Sequence, residues 1–127
     1  MLKKKAVYKC DLCGNVIEAV WDGQPSVTCC GQEMTELTVN TVDAAKEKHV
    51  PVIERDGNKV TVKVGSAWHP MASDHYILFI EVLDGDYVYR RDMKEGDEKP
   101  EATFTVQGDK VKARAFCNLH GFWMAEE

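Results

Sequence analysis

No apolar run in this chain is longer than residues 76–80, far short of the roughly 20 residues a membrane-spanning helix needs. An excess of basic residues is missing as well. Lys and Arg number 16 against 21 Asp and Glu, and the net charge of −5 argues against a nucleic-acid or anionic-membrane partner. A secretory leader is not expected, because the basic stretch 1–5 is followed by polar residues and Cys10 where an apolar segment should come. A cytoplasmic location is therefore expected. There is no internal repeat and no low-complexity tract. With 44% hydrophobic residues in 127, the composition excludes disorder and is enough for a real core. Histidine is absent before position 49, and cysteine is absent between positions 30 and 117.

That last pair of absences separates two sets of metal-capable residues. Before position 31 stand Cys10, Cys13, Cys29 and Cys30; after position 48 stand His49, His69, His75, Cys117 and His120. Cysteines at short spacing in a reducing compartment are more often metal ligands than disulfides. The Cys10-x-x-Cys13 spacing makes a knuckle in which the backbone N–H groups of Gly14 and Asn15 are expected to point at sulfur. Cys29 and Cys30 are adjacent, and neighbouring side chains of an extended segment point to opposite faces. Both reach one ion only if the chain bends sharply, which Gly31 permits, so a distorted tetrahedron is expected. Zinc and iron both accept four sulfurs, and the spacing does not choose between them. A disulfide framework is the alternative.

Residues 1–37 read as a small metal-dependent module, below the roughly 40 residues at which a domain usually folds unaided. Short β-like stretches are expected at 16–21 and 27–29. Residues 38–48 read as a connector, with one helical turn over 43–48 and Asp43 near its start. From position 50 the pattern is β. Strands at 52–55 and 59–64 flank Asp56, Gly57 and Asn58; strands at 76–83 and 87–91 flank Asp84, Gly85 and Asp86; strands at 102–107 and 110–116 flank Gly108 and Asp109. Three successive hairpins imply a mostly β fold, an antiparallel sandwich or barrel. Residues 92–100 read as a solvated charged loop. Every histidine falls at a strand or loop boundary and Cys117 at a strand end, so all five residues are placed to meet at one end of a sandwich.

The combination of Cys10-x-x-Cys13 and Cys29-Cys30 with Glu47-Lys48-His49-Val50-Pro51, Trp68-His69-Pro70-Met71, His75-Tyr76-Ile77 and Cys117-Asn118-Leu119-His120-Gly121 resembles desulfoferrodoxin, the two-iron superoxide reductase family, over the whole chain. The resemblance implies a desulforedoxin-like module (1–37) with an accessory iron on Cys10, Cys13, Cys29 and Cys30. It implies an immunoglobulin-like antiparallel β-sandwich (38–127) with a catalytic iron on His49, His69, His75 and His120 as equatorial ligands and Cys117 as the axial one. It further implies one-electron reduction of superoxide to hydrogen peroxide, protection against oxidative stress, re-reduction by rubredoxin or a similar donor, and a homodimer. Lys48 would guide superoxide and assist protonation, and Glu47 would occupy the open position of the oxidised resting state.

Overall fold

The computed structural model describes residues 2–41, 49–94, 96–97 and 99–127. The expected helical turn over 43–48, and with it Glu47 and Lys48, lies outside the described residues. These contain strands and no helix, so no helix among them is long and apolar enough to cross a membrane.

The chain divides into two compact units, residues 1–38 and 39–127. In the first, strands β1 (Val7–Lys9) and β2 (Val16–Glu18) pair antiparallel. A short hairpin joins β3 (Thr28–Cys29) to β4 (Gln32–Glu33), and β5 (Thr35–Glu36) returns to the other edge of β1. The core of this unit is small: Tyr8, Cys10, Ala19 and Met34.

The second unit is a two-layer sandwich. Its larger sheet contains β6 (Val39–Asn40), β9 (Ile77–Asp84), β10 (Tyr87–Asp92), β12 (Lys112–Cys117) and β13 (Gly121–Glu126), in the order β10-β9-β12-β13-β6. Its smaller sheet contains β7 (Pro51–Asp56), β8 (Lys59–Val64) and β11 (Glu101–Thr105), in the order β11-β8-β7. Alternation fills the space between them: Val60, Val62 and Val64 from one sheet meet Ile80, Val82, Ala113 and Ala115 from the other, all fully buried. The mostly β sandwich matches the sequence reading. One pairing departs from the antiparallel pattern, because β6, read as connector, lies parallel to β13.

The first two expected hairpins form. Each closes through a two-residue turn that opens on a glycine in the left-handed region, Gly57 (φ 63°) and Gly85 (φ 57°), as a type II′ turn requires. The third does not form. β11 pairs with β8, whereas β12 pairs with β9 and β13, so residues 106–111 cross from one sheet to the other. The crossing is held by the Asp84 carboxylate, which accepts the N–H groups of Gln107 (2.9 Å) and Gly108 (3.1 Å). Val106 donates its N–H to the Asn58 carbonyl at 2.8 Å. Three contacts from outside the loop thus outweigh the local turn signal. The solvated loop at 92–100 is anchored at both ends by buried Met93 and Pro100.

Two candidate metal centres

In the first unit, Cys10 follows β1 and Cys13 follows one turn later. Gly14 donates its N–H to the Cys10 carbonyl (2.9 Å), not to sulfur as expected. The Cys13 amide donates to Cys10 Sγ (3.5 Å), and the Asn15 side-chain amide donates to Cys29 Sγ (3.6 Å). The adjacent pair is explained by the turn between β3 and β4. Cys30 (φ 54°) and Gly31 (φ 76°) are both left-handed, the type I′ pattern. Cys30 adopts a conformation costing a residue with a Cβ about 1–2 kcal/mol, and this swings its side chain to the same side as that of Cys29.

The four sulfurs lie within 4.8 Å of one another, with Cys13 to Cys29 at 3.6 Å and Cys29 to Cys30 at 4.0 Å. Metal–sulfur bonds of about 2.3 Å would set the corners of a tetrahedron about 3.8 Å apart, so the spacing fits an ion of that kind. Proton affinities point the same way. Backbone N–H groups of Cys13 and Leu12 lower Cys10 to about 6. Hydrogen bonding to Cys13, then to Cys10 and Cys29, pushes the Cys30 thiol up to about 12. The same neighbour, Cys13, raises Cys29. Four thiols this close cannot all ionise by themselves, and a cation removes that conflict.

In the second unit four histidines from separate segments converge. His49 precedes β7, His69 follows β8, His75 precedes β9, and His120 lies in the turn between β12 and β13. Ring centres around the group are 4.7 Å (His49–His69), 4.6 Å (His69–His75), 4.9 Å (His75–His120) and 5.0 Å (His120–His49) apart, while His49 and His75 stand 6.4 Å apart. Four similar sides and one longer diagonal describe a four-cornered ring of imidazoles. Adjacent rings meet edge-on, at 60° to 81°. Half the diagonal is 3.2 Å. With a nitrogen of each ring turned inward, about 1.2 Å from the ring centre, about 2 Å would remain, the length of a metal–imidazole bond. The donor atoms of His49, His69, His75 and Cys117 lie within 4.8 Å of one another, and Cys117 Sγ is 3.8 Å from His120 Nδ1.

Local structure accounts for each position. His69 Nδ1 lies 2.8 Å from the Pro70 carbonyl. A carbonyl only accepts, so Nδ1 carries the proton and the buried Nε2 keeps its lone pair for the centre. Asn118 straddles His75: its Oδ1 accepts the Tyr76 N–H (2.8 Å) and its Nδ2 donates to the Asp74 carbonyl (3.0 Å). Cys117 ends β12 beside a bulge, where the register shifts so that Cys117 opposes Ile77. Both residues then face the core: Cys117 continues the inward alternation of Ala113 and Ala115, and the extra residue of the bulge, Leu78 on β9, turns Ile77 to the same side. Cys117 (0% exposed), His49 and His69 are buried, His75 is half-buried, and His120 is exposed beside Leu119. The group therefore has one wet edge. Eight of the nine cysteines and histidines named from the sequence fall into these two donor groups, and the ring of the ninth, His120, lies nearby, 4.9 Å from that of His75 and 5.0 Å from that of His49. Asn118 and Trp123, which stacks on His49, were not singled out; the alternation of β13 and the position of Asn118 inside the Cys-x-x-His turn were the available signals.

These features define a β-sandwich metalloprotein with two separate sites able to hold iron, one of four thiols and one of imidazoles with a thiol. The desulfoferrodoxin family model matches residues 41–126, and that of the desulfoferrodoxin N-terminal domain matches residues 3–37. The chain belongs to the desulfoferrodoxin family. It is 55% identical to a desulfoferrodoxin homolog of Archaeoglobus fulgidus, over 98% of this chain and 99% of that one. Among solved structures it resembles the superoxide reductase of Treponema pallidum (TM-score 0.78, 32% identity, 94% of this chain and 96% of that one). It also resembles the 1Fe superoxide reductase of Giardia intestinalis (TM-score 0.59, 32% identity, 65% of this chain and 98% of that one). The two-iron arrangement of the family is consistent with the two groups described above.

Proposed function

We propose that this chain is a superoxide reductase, converting superoxide with one electron and two protons to hydrogen peroxide. The observation that carries the reading is the convergence of four imidazoles on one buried thiol, with an edge open to solvent. His49, His69, His75, His120 and Cys117 would together hold the catalytic iron. Bound there, iron supplies a one-electron couple and a free coordination position for the substrate.

The residues themselves set the electrostatics. Four imidazoles contribute no charge and the thiolate one negative charge, so a divalent ion leaves about +1, which favours an anionic substrate. Lys48 is adjacent to His49 in the chain. It is assigned the guiding of superoxide and help with protonation, and Glu47 the open position in the oxidised resting state. Screening acts over about 8 Å at physiological salt, so the charge of a residue next in sequence to a ligand can outweigh the net −5 of the chain.

Residues 1–37 would form an accessory electron-transfer module on Cys10, Cys13, Cys29 and Cys30, and residues 38–127 the reductase domain. The fit of a 1Fe superoxide reductase to 65% of this chain supports keeping the module out of the catalytic set. Rubredoxin or a similar protein would return the electron, and the protein would act as a cytoplasmic homodimer protecting against oxidative stress.

The test is stoichiometric. Reduced protein supplied with a donor should draw one electron per superoxide and form one peroxide, without evolving dioxygen. Dioxygen released with no donor consumed would make the chain a dismutase. A colourless protein holding only zinc would remove the reading, and a second centre whose spectrum ignores azide would make it an electron carrier.

A further inference from the structure

Trp123 touches two members of the four-histidine group by different chemistry. Its indole stacks on the His49 ring at 4.7 Å and 14°, near parallel, whereas the histidine rings meet one another edge-on. Its Nε1–H donates to the His120 carbonyl at 3.1 Å. The side chain is 7% exposed. It reaches the group because β13 places Trp123 opposite Ala115, a small residue with the same facing.

We propose that Trp123 is a positioning residue that fixes the His49–His120 side of the four-histidine group. The torsion deciding where an imidazole nitrogen points is broad and roughly two-fold in free histidine, so packing must select its value. A face-on indole does that for His49 by blocking rotation of the ring out of its plane. For His120 the restraint acts through the backbone. The indole N–H is a buried donor that needs an acceptor, and taking the His120 carbonyl ties the turn carrying that histidine to β13. Gly121, next in the chain, is left-handed (φ 91°), so this turn has a backbone shape that the bond can hold. One side chain thereby sets two neighbouring corners that are 5.0 Å apart. The inference rests on the reading that these histidines hold iron.

The experiment uses the full-length, iron-loaded protein and the variants Trp123→Leu, which removes both contacts, and Trp123→Phe, which keeps the stack and removes the N–H. Three properties are measured: iron release to a chelator from the second centre, the ferric electron paramagnetic resonance signal of that centre, and thermal unfolding. Absorption of the four-cysteine centre is the internal reference. Loss of a group that orients metal ligands typically weakens binding about 10-fold or more. Trp123→Leu should therefore release second-centre iron about 10-fold faster with a changed resonance signal, while the four-cysteine centre is unaltered. Trp123→Phe should fall between it and the native protein. Native release and native signal in both variants would overturn the proposal. So would an equal acceleration at both centres with a lowered unfolding midpoint, which would mark a general loosening. If Trp123→Leu does not fold, Trp123→Phe decides alone, and native behaviour there overturns the proposal. A native protein that takes no iron at the second centre overturns the functional reading and this inference with it.

Discussion

Cys117 ends β12 with its thiol wholly buried, and three residues later His120 is exposed. This pair spans the site from its dry side to its wet one, and its members are not interchangeable. Replacing the thiol by a hydroxyl, Cys117→Ser, should remove the visible band of the second centre and the superoxide-reducing activity together, since no other thiol belongs to that group. A variant retaining both on stopped-flow assay would exclude Cys117 as a ligand. Lys48 acts differently if the proposed role holds. Lys48→Ile should lower the second-order rate with superoxide while leaving iron content unchanged, and the salt dependence of that rate should weaken. The nine cysteines and histidines were legible as residues because their types and spacing carry chemistry directly. Asn118 and Trp123 were not, because an amide and an indole become site components only through what they touch.

Among the elements, β12 shows why pattern reading partly failed. Its sequence around Gly108 and Asp109 has the look of a hairpin, yet the preceding strand pairs elsewhere. The deciding group is the Asp84 carboxylate, twenty-four residues away from Gly108, which captures the loop amides. Gly108 is needed there because an added Cβ would collide with that carboxylate. Gly108→Ala should cost about 1–3 kcal/mol, read as a lower urea midpoint with an unchanged slope, because the loop must release buried hydrogen bonds. A second clamp closes the far end of the sheet. Glu127 bonds Arg55 at 2.6 and 2.9 Å and the Val111 N–H at 2.9 Å. The Arg55 hydrogen bond, above all, holds the Glu127 carboxyl below its ordinary 4.5. A depressed carboxyl contributes stability that is present above its unfolded value and is lost as pH falls through the folded one. The stability gap between native protein and Glu127→Gln should therefore be present at neutral pH and shrink below about pH 4.5, as urea melts at the two pH values would record.

For the whole molecule, the two units differ in what can hold them together. Among the described residues the first has five buried hydrophobic ones, Val7, Tyr8, Cys10, Ala19 and Met34, and Cys10 is a member of its own metal group. The second has the continuous valine, isoleucine and alanine core of the sandwich. Stripping metal from both sites should unfold residues 1–38 and leave 39–127 folded, visible as amide exchange protection lost from the first unit only. Loss of protection throughout would show that the sandwich also depends on metal.

Donor identity, the division into an all-cysteine and a mixed set, and the strand alternation were determined by the sequence alone, because ligand chemistry and side-chain period are local properties. Tertiary structure decided which strand pairs with which, that Cys30 turns left-handed to join its neighbour, and that four histidines from distant segments meet with Trp123 against one side. Those outcomes depend on contacts between residues far apart in the chain, and no local pattern encodes which distant group will arrive.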